Sequence, residues 1–360
     1  MKKKKKMKKL IATLLVLVVL VGGYVALVKL MPAEEEETTE EEKIEVVKLE
    51  EDSIVELSYT QGEDEIVLEQ KDDDTWYSPT DTTCPVNEYT VGNMTGVLEE
   101  VTASREIEAD LVDEEAFGLS KPSKVISFTQ ADGTAYTYTL GCLNDVTDKY
   151  YFRLNDEKQV YMIDTTLYNT FDCDLLSLAE VEDYPSMSNG DISDFTLTYK
   201  GDTKYFVDSE DAAHKKNESE IPECVWTSGT DKSKLKEMDA DTADELVQAI
   251  ISLTNSECVS YNKTDAQLKK YGLDDPAMTL TVNYVYVDDT DEEDTDGEDT
   301  DTTEDTAEEN TETTYLDGTF TVHFGNTDKD SGEYYVYMEG SNSIYTMNIS
   351  NVDTLMSVFE

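Results

Sequence analysis

The hexapeptides FGLSKP at 117–122 and YGLDDP at 271–276 share one pattern: an aromatic residue, a glycine, a leucine and, three places on, a proline. They belong to a longer duplication. Trp76 precedes Trp226 by 150 residues, and Gly118 precedes Gly272 by 154. The offset then becomes 184, linking Gly141 to Gly325, Tyr150 and Tyr151 to Tyr334 and Tyr335, and Tyr161 to Tyr345. One insertion accounts for the jump: residues 288–314, DDTDEEDTDGEDTDTTEDTAEENTETT, built almost wholly from Asp, Glu and Thr. A chain that repeats itself at fixed spacing must build the same unit twice, which removes most other folds from consideration.

Each copy reads as a helix followed by a meander of strands, an α+β unit. In the first copy the alternating runs at 44–50, 53–60 and 64–70 predict strands of one antiparallel sheet. A helix follows, with Met94, Val97, Leu98 and Val101 on one stripe. The runs VISFTQ, YTYTLG, KYYFRL and QVYMID then supply the meander. In the second copy a helix carries Leu246, Ile250 and Leu253, opened by a capping box from Thr242 to Glu245. The short segment TDAQLKKYG is a further helix, stopped by Gly272 in a left-handed conformation and kept from resuming by Pro276. The two units are placed at 44–180 and 224–360, with connecting strands and a loop at 181–223. The acidic insert, 288–314, interrupts a hairpin that has only ADG at 131–133 in the first copy, and it is too polar to bury a core.

The N-terminus points to a membrane. Seven lysines precede an apolar run at 10–28, long enough as a helix to cross a hydrocarbon core about 30 Å thick. Residues 1–9 are expected as a cytoplasmic basic tail, 10–30 as a transmembrane signal anchor, and 31–43 as an acidic spacer outside the cell. The run exceeds the usual apolar stretch of a cleaved leader and lacks its small-residue exit, so the anchor is expected to stay. The expected localisation is the cell membrane, crossed once, with the bulk of the chain extracytoplasmic.

Charge and motif content narrow the function. The net charge is −53, and the first 31 residues hold eight lysines and no acid, so the rest is more negative still. Such a surface repels nucleic acid, and no nucleic-acid partner is expected. The five cysteines (Cys84, Cys142, Cys173, Cys224, Cys258) show no C-x-x-C spacing and most read as small core residues. Of the two histidines, His214 lies in a polar loop, and His323 points from a strand away from Phe320, Val322 and Phe324 as an exposed residue. No nucleophile elbow, phosphate-binding loop, dinucleotide fingerprint or zinc helix occurs, so the expectation is no enzyme, no catalytic residue and no cofactor or metal site. Residues 292–303 partly match a calcium loop, with Asp294, Asp296 and Gly297 in place, but Thr303 stands where a bidentate Glu is required. Weak association of divalent cations with the insert is the expectation there.

The anchor, Trp76, Tyr77 and Pro79, the two hexapeptides, and a later Leu-Gly before a Tyr-Tyr strand resemble bacterial proteins grouped as domain of unknown function 4340. The resemblance covers roughly 70–180 and, more loosely, 224–359. It implies a membrane-anchored envelope protein; some relatives are described as auxiliary components of gliding-motility-type ABC transporters. It supplies no catalytic residues. The expected role is therefore non-enzymatic: a scaffold that binds an envelope protein, an ABC transporter among the candidates. The alternative is a surface module for divalent cations or cell-wall glycan.

Overall fold

The computed structural model describes residues 43–287 and 313–359. The expected tail, anchor and all but the last residue of the spacer lie outside these residues, as does most of the acidic insert. Among the described residues no helix is long and apolar enough to cross a membrane.

The chain opens with strands β1 (Ile44–Lys48), β2 (Ile54–Gln61), β3 (Asp64–Gln70) and β4 (Trp76–Tyr77), then helix α1 (Glu88–Glu99) and strands β5 (Glu100–Ala103) and β6 (Arg105–Ile107). A meander follows, β7 (Lys124–Gln130), β8 (Ala135–Asn144), β9 (Lys149–Leu154) and β10 (Val160–Ile163), closed by the short helix α2 (Thr166–Thr170). The second half begins with β11 (Ile192–Tyr199), β12 (Asp202–Asp208), β13 (Trp226–Gly229) and β14 (Lys236–Glu237). Helix α3 (Ala240–Ile251), β15 (Asn255–Ser260) and helix α4 (Asp265–Tyr271) come next. The last elements are β16 (Met278–Val287), β17 (Tyr315–Thr327), β18 (Tyr334–Met338), β19 (Ile344–Met347) and helix α5 (Ile349–Ser357).

Two large antiparallel sheets result, and their strand orders correspond one to one. The first runs β4-β3-β2-β7-β8-β9-β10-β6; the second, after the added edge strand β14, runs β13-β12-β11-β16-β17-β18-β19-β15. Each sheet buries one face under helices. Leu57, Tyr59, Ile126, Phe128, Tyr138 and Phe152 meet Val91, Met94 and Leu98 of α1. In the second unit Leu197, Leu280, Val322 and Val336 meet Leu246, Val247 and Ile250 of α3 and Val352 and Leu355 of α5. Burial of each large side chain contributes on the order of 1.5–3 kcal/mol, so these faces dominate the stability of each unit.

The tandem α+β reading holds, with four local corrections. Residues 192–208, expected to connect the units, are β11 and β12 of the second sheet; β11 pairs with β16 along its length. The structural repeat therefore starts two strands before each tryptophan. Second, β1 does not join β2 and β3 but pairs with β5 in a separate two-stranded ladder. Third, Val101 is buried from β5 rather than from the helix, because the chain turns extended at Glu100. Fourth, α3 starts earlier than the Thr242 box predicts. Asp239 is its N-cap, accepting from Thr242 N–H, and Leu253 is buried just past its end.

Candidate functional site

The two hexapeptides build the same turn. Gly118 and Gly272 are left-handed, at φ 71° and 70°, a region that costs side-chain-bearing residues about 1–3 kcal/mol. Leu119 N–H donates to the Glu114 carbonyl at 2.9 Å, and Leu273 N–H to the Leu268 carbonyl at 2.7 Å. Phe117 stacks on Tyr151 at 4.2 Å, as Tyr271 meets Tyr335 at 4.4 Å. Against each turn lies a strand glycine without room for a side chain. A Cβ on Gly141 would come within 2.0 Å of the Phe117 oxygen, and one on Gly325 within 2.4 Å of the Tyr271 oxygen. In each unit the hexapeptide thus seals a small core on the sheet face opposite the main one. In the second copy Thr264 and Gln267 cap α4 reciprocally and Gly272 ends it; in the first the equivalent chain is a series of turns. These residues are scaffold.

Lys124 is the most unusual buried group, 2% exposed at the start of β7. Its ammonium donates to Gln61 Oε1 at 2.7 Å and to the Phe171 carbonyl, the C-cap of α2. Asp172 lies 3.8 Å away, and the Tyr168 and Tyr59 rings 5.2 and 5.8 Å away. Burial lowers the Lys124 pKa, with Asp172 opposing the shift. Next to it Tyr59 Oη and Cys173 Sγ are 3.3 Å apart, and burial raises the Cys173 thiol. All the ammonium's neighbours belong to the fold itself, and the arrangement ties α2 to the sheet. The second unit ties its last helix likewise, but from another strand: Lys204 of β12 donates to the carbonyl of Val358, the C-cap of α5.

The remaining sequence candidates disperse. All five cysteines are free thiols; Cys84 is buried, Cys142 exposed, and the other three half-buried. Among the described residues no three His, Cys, Asp or Glu side chains gather as metal ligands. His323 is half-buried rather than exposed, because Tyr337 stacks on it at 4.6 Å and Lys263 lies 4.1 Å over Tyr337. Burial lowers its pKa.

The units differ most at one end of the second sheet. The β12–β13 connection spans 209–225, where β3–β4 needs only 71–75, and β16–β17 carries the acidic insert. The 209–225 connection meets the described part of the β16–β17 hairpin. Ala212 and Ala213 are buried, as is Val285 of the hairpin. His214 Nδ1 is 2.5 Å from Asp211 Oδ1 and Nε2 is 3.0 Å from Asp317 Oδ1 on β17. Both ring nitrogens can donate only in the imidazolium. The Asp211 hydrogen bond, with that of Asp317, raises the histidine's pKa against an opposing burial effect. Asn217 donates to the Thr313 carbonyl at 3.0 Å, and Lys216 pairs with Asp191 while lying 5.6 Å over the Tyr315 ring.

On the other face of the hairpin Tyr284 and Tyr286 continue the row that begins with buried Val282, and Leu316 continues that of Phe320. Past the covering helices this row opens to solvent, with Tyr286 42% and Leu316 37% exposed. A groove of about 450 Å³ follows the hairpin, lined by Pro185, Ser186, Asp191, Lys216 and residues 284–287 with Tyr315.

Two stretches of the chain, 76–254 and 226–359, match the model of a domain of unknown function, DUF4340. The chain belongs to the DUF4340 family. Each match begins at a tryptophan of the duplication, Trp76 or Trp226, and together they span well over half of the chain. No curated protein and no solved structure matches it. Within this DUF4340 chain the two hexapeptides seal matching small cores, and the copies differ most at the buttressed hairpin. Sequence reasoning placed His214 in a polar loop and did not connect that loop to the hairpin. The signal for the site was the double departure from the repeat, at 209–225 and at 288–314.

Proposed function

We propose that this DUF4340 chain is a non-enzymatic, membrane-anchored extracytoplasmic protein that binds another protein of the envelope through the exposed end of the β16–β17 hairpin. The observation that carries the reading is the row Tyr284, Tyr286 and Leu316, an apolar face that outruns its covering elements on one unit only. Aromatic side chains left open beside a groove are typical of protein-binding surfaces. The apolar run at 10–28 behind seven lysines supports attachment to a membrane with the folded units outside. An ABC transporter is the partner implied by the family resemblance.

The test is photocrosslinking in intact cells, with the photoreactive residue at 286 or 316 and a control at exposed Glu63 in the first unit. A discrete crosslinked protein from 286 and 316, absent at 63, is the expected result. Identical patterns from all three positions, or none, would overturn the proposal.

A further inference from the structure

The open hairpin end has a strand edge as well as a side-chain surface. Ile192, facing Tyr284, is the last residue of β11 to pair with β16. Beyond it β16 and β17 run on as a two-stranded ribbon, with Val285, Tyr286 and Val287 opposite Asp317, Leu316 and Tyr315. Among the described residues no strand pairs with 285–287 on the side that β11 has left. That edge offers main-chain donors and acceptors of the kind an added strand satisfies. The groove beside it takes in both alternating sets of side chains, Tyr284 and Tyr286 on one face, Val285 and Val287 on the other.

Charge selects the occupant. The ribbon leads into 288–314, which holds fifteen acidic residues and no basic one, and Asp317 adds another carboxylate on the ribbon itself. An acidic segment is repelled here; a basic one is drawn in and held. The protein's own Lys216 illustrates what the groove accepts, an ammonium over the Tyr315 ring and paired with Asp191. We infer that an extended lysine- or arginine-rich segment of the partner protein adds as a strand to the 285–287 edge of β16. This inference rests on the partner-binding reading and gives that partner a chemistry.

The experiment measures fluorescence anisotropy of a labelled seven-residue peptide, alternating lysine with threonine and valine, against the full chain in detergent micelles. Saturable binding is expected. A peptide of the same charge whose central amide nitrogens are methylated, and so cannot pair as a strand, is expected to bind at least tenfold more weakly. Tyr286→Ala should weaken the unmodified peptide by a similar factor while leaving the urea midpoint in place, since the side chain is largely exposed. Equal binding of the methylated peptide would reduce the effect to charge alone and overturn the inference; so would an unaffected Tyr286→Ala variant. A partner crosslinked at 286 that lacks any basic extended segment would refute this inference yet leave the proposed function standing. Absence of crosslinks removes the proposed function itself.

Discussion

Lys124 and Met278 occupy the same place in the two units, two residues after the proline of each hexapeptide and at the start of β7 and β16. One is a buried cation, the other a fully buried apolar chain. A buried ion with good partners is often replaceable by an apolar residue of like volume at little cost, whereas truncation leaves a void and orphaned acceptors. Lys124→Met is therefore expected to lower stability by less than about 1.5 kcal/mol, and Lys124→Ala by about 2–5 kcal/mol, measured by urea unfolding. Equal losses would mean that the charge, not the volume, holds α2 in place. At this scale the sequence was legible where sterics allow one answer. Gly118, Gly141, Gly272 and Gly325 recur because a Cβ would strike a neighbour or the backbone is left-handed. Lys124 gave no such signal: its burial depends on Phe171 and Gln61, distant residues that no local pattern connects to it.

The elements show where periodicity suffices and where it does not. The meanders followed from alternation and spacing; the short strands at Trp76 and Trp226 did not, being too brief to show a period. β11 and β12 were misplaced because ISDFTLTY shares with IVELSYTQ little beyond its pattern of inward positions, which any apolar residue can fill; only the first Ile and the seventh Thr are identical. The open hairpin end was hidden for a related reason: alternation says which way Tyr286 points, but whether anything covers it depends on where the covering helices end, and whether its strand edge is paired depends on β11 reaching no further than Ile192. The His214 bridge that holds this hairpin gives a pH dependence. Its folded-state pKa is raised, so its stabilising contribution is complete below the unfolded value, near pH 6.5, and is lost as pH rises through the folded value. Its surroundings are Asp211, Glu210 and Lys215 on its own loop, Asp317 on β17, and the Lys216–Asp191 pair beside it. With the imidazole 44% exposed, solvent screening limits the effect to under about 1 kcal/mol. Relative to His214→Gln, amide exchange at 315–319 should be slower at pH 6, and the difference should vanish by pH 9. A difference that grows with pH would show that the neutral ring makes the bridge.

The whole molecule is two copies of one sheet joined through a small number of side chains. Tyr261, between β15 and α4, donates its hydroxyl to Asp81 Oδ2 at 3.0 Å, and Tyr261 and Cys258 pack against the first unit's core. Cys258 also touches the second core, so it belongs to both. Between the units a cleft of about 460 Å³ opens, lined by Asp174, Leu176, Val181, Ser256 and Cys258, which limits the apolar contact there. The duplication was legible because it is written in residue identities; the junction was not, because Tyr261 and Asp81 have no counterpart pairing in the repeat. Each unit has its own buried core, so cooperativity between them must come from this junction. Removing the Tyr261 ring takes away both the hydrogen bond to Asp81 and part of the shared apolar contact, while both helix-covered cores stay intact. The wild-type chain is expected to unfold in one calorimetric transition, and Tyr261→Ala in two, the more stable of them keeping its original midpoint. A single transition merely shifted to lower temperature would show that the units are coupled elsewhere, through the β15 edge rather than through this side chain.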